Sequence, residues 1–491
     1  MNHFRNSSWG FFKFHLSLFW VFMLCLTSQT LLAQSVEKEI YEIETSLVKS
    51  IHIKGETIEK FSIEDRMQAY KVPGLSIAVV KEGEIRWTKS YGLADANRKT
   101  VVDENTLFQA ASISKPITAL AILKLAQEQM VDLDANVNLY LKGWQIEDNE
   151  FTTKEKVSLR RLLTHTAGLN GHGFDGYLQD EDIPTTIEIL NGEGNSRRVI
   201  VENTPGAEWR YSGMGYVILQ KVVEDVTGIP FADFMQTEIL MPLGMKHSTY
   251  KHQINVEPDF NISSAHDLDG AVIEGRWHNF PEMGPGGLWT TASDFAQYCI
   301  SIQNILSGKS SSFLSKESVA SIFTKTQHDW GLGPLIQGEN ETLRFTHDGH
   351  NTGYITEYLA FAHKGEAVII MTNGEYGRGL VQEILMSVSS YYDWDTHHQR
   401  VIVPPMLSAE ELNKFVGEYR WIDRPNYIIE VIMNEGQLRF VAPGFPVDNL
   451  TPYQTHDFID IETEVEVHFQ SSKEGQINGA IWRDCNLEKI N

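Results

Sequence analysis

Cysteine is scarce, with three in 491 residues. Cys25 falls in an N-terminal apolar run, which leaves Cys299 and Cys485 in the body of the chain. A disulfide-stapled scaffold is therefore excluded. The two remaining cysteines lie in different candidate regions, and two buried free thiols are expected rather than a bridge. Cys/His ligand spacing, His-Glu-x-x-His and a calcium loop are all missing, so no metal is implied. No Gly-Lys-Ser/Thr loop and no dinucleotide fingerprint occur, and no cofactor is implied either. Basic residues are outnumbered, 41 against 65 acidic, for a net charge of −24. That balance argues against nucleic acid or an anionic membrane as partner. Repeats and low-complexity tracts are absent as well, and nothing in the sequence speaks to oligomeric state. With 42% hydrophobic and 22% charged residues, the composition is that of a globular protein.

Long apolar runs are also missing, save one at the start. Arg5 and Lys13 precede a dense apolar stretch, His15 to Leu26, and Leu31-Leu-Ala33 offers a small residue for cleavage. Residues 1–33 read as a secretory signal, with an uncleaved N-terminal anchor as the alternative. Cys25 lacks the small-residue surroundings of a lipoprotein site. Cleavage would leave 39 basic against 65 acidic residues, a net of −26. The expectation is an exported protein, periplasmic or secreted, with no stable membrane insertion after cleavage.

The body divides at a change of pattern. Val36, Ile40, Ile43, Leu47 and Ile51 form a helical stripe, continued by Ile63, Met67 and Tyr70, which predicts helix over 36–70. Leu75–Val80 and Ile85–Gly92 read as strands around a turn at Lys81–Glu84. A helix is predicted from Ser112 to about Gln129, and further helices over 157–169, 217–227, 231–240, 292–306 and 379–392. The stretch 170–205 reads as loop or small helices. Ile355–Phe361 and Ala367–Thr372 read as strands. After Val401-Ile-Val-Pro404-Pro405 come short β-rich segments: 427–433, 437–441, 458–461, 465–470 and 477–482. The expected organisation is signal 1–33, a main domain 34–400, a linker 401–408 and a C-terminal β-barrel or meander 409–491.

One motif carries chemistry. Ser112-Ile-Ser-Lys115 opens the predicted helix, and a spacing of three puts both side chains on one face. A serine hydroxyl needs an adjacent base, and a desolvated lysine amine can serve. The helix N-terminus adds positive potential where an oxyanion would form. The four-residue pattern is weak alone: Ser46 and Lys49 repeat it in what reads as an ordinary amphipathic helix. Tyr211 sits at a loop-to-helix junction after Pro205-Gly206, where a phenol can relay protons; a core tyrosine is the ordinary alternative. His347-Asp-Gly349 precedes a predicted strand, and His363-Lys-Gly365 is its decoy. His165 reads as structural.

In this order the stretches resemble serine hydrolases of the penicillin-binding protein and class C β-lactamase type. The matching segments are Val72–Val80, Phe108–Lys115, Leu162–Leu169, Pro205–Tyr216, Gly286–Asp294 and His347–Tyr354, within a resemblance over about 36–395. It implies an α/β (α+β) fold: an antiparallel sheet flanked by helices plus an all-helical subdomain. The C-terminal region is similar to a lipocalin-like appendage on some members. The resemblance makes Ser112 the acylated nucleophile, with Lys115 and Tyr211 sharing base and proton-relay work. It places the oxyanion between the backbone N–H groups of Ser112 and His350 and makes His347, Gly349 and Gly213 the substrate-binding positions. Two departures stand out. The usual Tyr-x-Asn is Tyr211-Ser-Gly213, and the Lys-Thr-Gly of β-lactamases is His347-Asp-Gly349. The latter resembles the esterase and D-aminopeptidase branch. The expected activity is hydrolysis of an ester, amide or peptide bond in a small-molecule or peptide substrate. An esterase or weak β-lactamase rather than a D-amino-acid peptidase stays open, as does a non-catalytic binding protein on the same fold.

Overall fold

The computed structural model describes residues 34–490, apart from His172, 252–260, Ser311, Ser312, Pro446 and Asp484. The signal expected over 1–33 lies outside the described residues. Among the described residues no helix is long and apolar enough to cross a membrane.

Seven strands form one antiparallel sheet in the order Thr100–Val101, Glu84–Asp95, Gly74–Lys81, Ala367–Thr372, Tyr354–Phe361, Arg344–Asn351, Leu335–Gln337. The first long hairpin turns at Glu82 and Gly83, both with positive φ (57° and 80°), the geometry that suits the right-handed strand twist. Both faces of the sheet are covered. Leu75, Ile77 and Val79 pack against Ile43 and the Arg378–Tyr391 helix. Ala78 and Val80 face the larger core, which holds Ile117 and Leu120 of the Ser114–Gln127 helix. Two covered faces explain why Leu75–Val80 reads as an unbroken apolar run rather than an alternation. The Ser114–Gln127 helix is buried nearly all round, as expected of a helix without a polar face.

Helix 36–70 is corrected. A helix spans 34–44, and the next begins at Ile63, where Ser62 and Asp65 form a reciprocal cap. Between them the β-branched residues prevail over the apparent 3.6 period. Ile51–Ile53 forms a parallel pair with Arg400–Ile402, the start of the expected linker. The Ser46–Lys49 decoy therefore lies on no helix. The 231–240 helix is α-helical only over Phe231–Phe234 and continues as a π-turn over Met235–Leu240.

The C-terminal region is a closed eight-stranded barrel running from Gly417 to Lys489. Three of its strands, Gly417–Trp421, Asp448–Pro452 and Cys485–Lys489, escaped the sequence reading. They carry Asp, Asn, Pro or Gly, and closure rather than propensity holds them in the ladder. Cys299 is a buried free thiol. Cys485 is not buried: it is half-exposed on the barrel, its Sγ 3.4 Å from the Arg483 carbonyl. The two do not pair.

Candidate active site

Strand Phe108–Gln109, paired with Trp289–Thr290, delivers the chain into a tight turn at Ala111–Ile113. Ala111 is held at φ 51°, a left-handed conformation that costs an alanine of order 1–3 kcal/mol. Ser112 follows at once, directly ahead of the Ser114–Gln127 helix. The hydroxyl of Ser114 donates to the Ala111 carbonyl at 2.6 Å and accepts from the Leu288 N–H at 3.1 Å, tying the turn down.

Lys115 lies one helical turn on. Its Nζ is 2.9 Å from Ser112 Oγ and 3.0 Å from the Pro285 carbonyl. The residue is 2% exposed, and its ammonium faces no carboxylate within ion-pairing reach among the described residues. Burial therefore dominates, and it pulls the amine from 10.5 down to about 7, with Asp348 opposing weakly. The rings of Tyr211 and Tyr216 lie 4.9 and 5.8 Å from Nζ.

The Tyr211 phenol hydrogen-bonds Ser112, yet burial outweighs that bond and raises its pKa. Its ring sits in a box of His165 (4.4 Å between centroids), Trp330 (5.7 Å), His347 (6.1 Å) and Trp209 (6.4 Å). His165 is fully enclosed, and its Nδ1 accepts the Ser212 N–H at 3.1 Å. Burial holds it neutral. It thus braces the loop that carries Tyr211, consistent with a structural role.

His347-Asp-Gly349 does not precede a strand. It lies inside one, Arg344–Asn351. The imidazole of His347 is buried against Trp330 and Tyr211, and its Nδ1 donates to the Asp348 carbonyl at 2.5 Å. Burial lowers its pKa, and nearby Lys115 adds to the effect. Its Nε2 has no hydrogen-bond partner among the described residues. Gly349 is required by space: a Cβ there would sit 2.4 Å from Thr356 Oγ1 and 2.5 Å from the Ala110 carbonyl. This strand therefore presses against the nucleophile turn.

Strand register fixes where the N–H of His350 points. The Ala362 N–H bonds the Leu343 carbonyl at 2.8 Å, and the two-residue turn at 352–353 closes on Asn351 and Tyr354. Alternation then pairs Gly349 and Asn351 with the neighbouring strand and turns the N–H of His350 away from it. On that outer side the edge strand pairs only with Arg344–Thr346. The His350 N–H is thus left open where His350 and Ser112 line a common cleft of about 600 Å³. The imidazole of His350 points elsewhere, its Nε2 2.7 Å from Glu375 Oε1.

Gly213 is buried as the first residue of the Gly213–Thr227 helix, and Met214 lines the cleft instead. Several contributors went unnoticed in the sequence. The Asn351 amide donates to Gln109 Oε1 at 2.8 Å and to the Gly286 carbonyl at 3.2 Å, joining strand, nucleophile turn and the loop that carries Pro285. Glu375 Oε2 accepts the Gly353 N–H at 2.6 Å. Burial alone would raise this carboxyl, but its bonds to His350 and Gly353 hold it below the usual range. Arg197 is exposed and lines the same cleft. No local sequence pattern marks Glu375. Among the described residues no cluster of His, Cys, Asp and Glu could hold a metal ion.

Taken together, a serine lies against a desolvated amine, a phenol bonds the same serine, and an outward backbone N–H borders the same cleft. The family model described as Beta-lactamase matches residues 62–388. Penicillin-binding protein 4* of Bacillus subtilis (strain 168) is 25% identical over 340 residues, covering 63% of this chain and 70% of that protein. Protein flp of Staphylococcus aureus (strain MW2) is 30% identical over 239 residues, but the match covers 48% of this chain and only 44% of that protein. The structure of the octameric penicillin-binding protein homologue from Pyrococcus abyssi superposes with a TM-score of 0.60 at 24% identity, covering 87% of this chain and 98% of that one.

Proposed function

The chain belongs to the beta-lactamase family, and from that premise we propose that it is an exported serine hydrolase working through an acyl-enzyme on Ser112. The observation that carries the reading is the 2.9 Å contact between Lys115 Nζ and Ser112 Oγ in a buried setting that brings the amine to about 7. A neutral amine can donate one N–H to the Pro285 carbonyl while its lone pair takes the serine proton. The Tyr211 phenol has its pKa raised and stays protonated at neutral pH. These facts support Lys115 as the base and Tyr211 as the group that relays the proton to the departing oxygen or nitrogen. Ser112 Oγ attacks the carbonyl carbon, and the oxyanion is held by the N–H groups of Ser112 and His350, a pair of donors of which each is worth about 10²–10³ in turnover. Water then cleaves the acyl-enzyme.

The substrate reading is an ester or a peptide-type amide, with a D-residue peptide among the candidates, rather than a β-lactam. Gly213 offers no amide to a substrate acylamino group. His347 offers no fixed cation to a carboxylate, because burial keeps it neutral. A binding protein on the same fold would gain nothing from a lysine whose burial costs stability. The test is labelling with a fluorophosphonate and, separately, a fluorescent penicillin, followed by mass spectrometry. Modification of Ser112 is expected with the fluorophosphonate and weakly or not at all with the penicillin. If neither reagent modifies Ser112, the acyl-enzyme reading is wrong; Ser112→Ala should abolish labelling by either.

A further inference from the structure

The cleft that Ser112 lines does not end at the hydrolase fold. His350 and Glu375 also line a second cleft of about 850 Å³, whose far wall is the C-terminal barrel. Its two sides carry exposed apolar side chains that face shared space: Leu268 on the hydrolase side and Phe445 on the barrel, each 42% exposed. The guanidinium of Arg483 lies 5.1 Å from the Phe445 ring centroid, and the Trp482 ring stands edge-on to Phe445 at 5.1 Å. Tyr376 adds a further ring to the hydrolase wall, 5.8 Å from that of Tyr70. The acidic residues of the barrel wall are already engaged: Glu462 with Lys49 and Arg66, Glu464 with Ser50, and Glu466 with Arg400 and Tyr453. What remains open to a ligand is the apolar and aromatic surface, with the guanidinium of Arg483 beside it.

We propose that this interdomain cleft is a substrate subsite, in which Leu268 and Phe445 receive an apolar, preferably aromatic, group distal to the bond attacked by Ser112. The assignment rests on the serine hydrolase reading above. Its occupant follows from continuity: the pair His350–Glu375 borders both clefts, so a substrate long enough to pass that pair reaches the barrel wall. Binding energy gathered there, away from the reacting carbonyl, raises the rate on extended substrates and leaves short ones untouched. The barrel is then a specificity element of the hydrolase.

The test uses the full chain and two substrate pairs matched at the scissile ester. One compares the acetate and 4-phenylbutyrate esters of p-nitrophenol, which differ on the acyl side. The other compares ethyl and 4-phenylbutyl acetate, which differ on the alcohol side. In at least one pair the extended member should show a kcat/KM gain of about 10-fold, within the range one apolar pocket supplies. Phe445→Ala and Leu268→Ala should each remove most of that gain and leave the short member unchanged. Both side chains are half-open to solvent, so neither truncation empties a core. No gain in either pair, or a gain that survives both substitutions, overturns the subsite. Failure to hydrolyse even the short esters would instead strike the serine hydrolase reading.

Discussion

In the proposed mechanism Lys115 is the base, and the burial that lowers its pKa is also a burden on the fold. Its amine is brought from 10.5 to about 7 by burial. If Lys115 is the base, kcat/KM for a simple ester should climb about tenfold per pH unit below 7 and level off above it. A pH-rate profile with no inflection between 6 and 8 would contradict this. The stability sign follows from the same shift. The folded pKa is depressed below the unfolded one, so below pH 7 both states are protonated and the folded state bears the full cost of a buried charge. That cost is of order 4–5 kcal/mol, and it is recovered as pH rises from about 7 toward 10.5. Lys115→Met removes the charge and shortens the side chain by one atom. It leaves the Pro285 carbonyl without its donor, a loss of about 1–3 kcal/mol, smaller than the gain. The variant should be inactive yet melt several degrees higher at pH 6, measured by calorimetry. Ser112 and Lys115 were legible in the sequence because a spacing of three brings the two side chains together across the tight turn at Ala111–Ile113 and the first turn of the helix that follows it. Asn351 and Gln109 were not, being single polar residues 242 positions apart that meet only through the folded sheet.

The hairpin Arg344–Asn351/Tyr354–Phe361 carries the His350 N–H that the proposed mechanism assigns to the oxyanion, and its tip is pinned from outside. Glu375 grips both ends of the turn, through His350 Nε2 at 2.7 Å and the Gly353 N–H at 2.6 Å, while its own N–H bonds the His266 carbonyl at 3.0 Å. In the proposed mechanism it is a positioning residue: it acts on the His350 N–H without needing to touch the substrate. Glu375→Ala should lower kcat by about 10- to 100-fold, in the range of a weakened oxyanion donor, with little change in KM. The pH-rate midpoint near 7 should stay put, since the Lys115 pocket is untouched. Glu375→Gln, which keeps an acceptor for Gly353, should recover part of the loss. A purely structural role would instead lower the melting temperature without separating kcat from KM. At this scale the sequence was readable where a local rule governs, as in the strand–turn–strand over Gly74–Asp95. It misled where a tertiary partner governs. Ile51–Ile53 mimics a helical stripe and is drawn into a parallel pair by Arg400–Ile402, and the His347-Asp-Gly349 strand is defined by its neighbours rather than by its own composition.

Across the whole molecule, the barrel is held to the hydrolase by a small seam of charge around a smaller apolar patch. Lys49 and Arg66 meet Glu462, Ser50 meets Glu464, and Arg400 meets Glu466. Beneath them Ile51, Ile402 and Ile459 form their own buried cluster. Partly exposed ion pairs contribute about 0–1 kcal/mol each, and 1 M salt shortens the screening length to roughly 3 Å, so most of this seam is salt-sensitive. The covalent connection runs past Met406, which is fully exposed. Limited proteolysis should therefore cut near Met406, because both flanking bodies are closed structures and the segment between Ile402 and Ser408 holds no regular element. The two fragments should co-elute at low ionic strength and separate in about 1 M salt. Fragments that stay together in high salt would show that apolar contact, not charge, fastens the barrel. Assayed after separation, the hydrolase fragment should retain activity on the short esters, since Ser112, Lys115, Tyr211 and His350 all lie on it. It should lose the advantage for the extended ones, because Phe445 has left with the barrel.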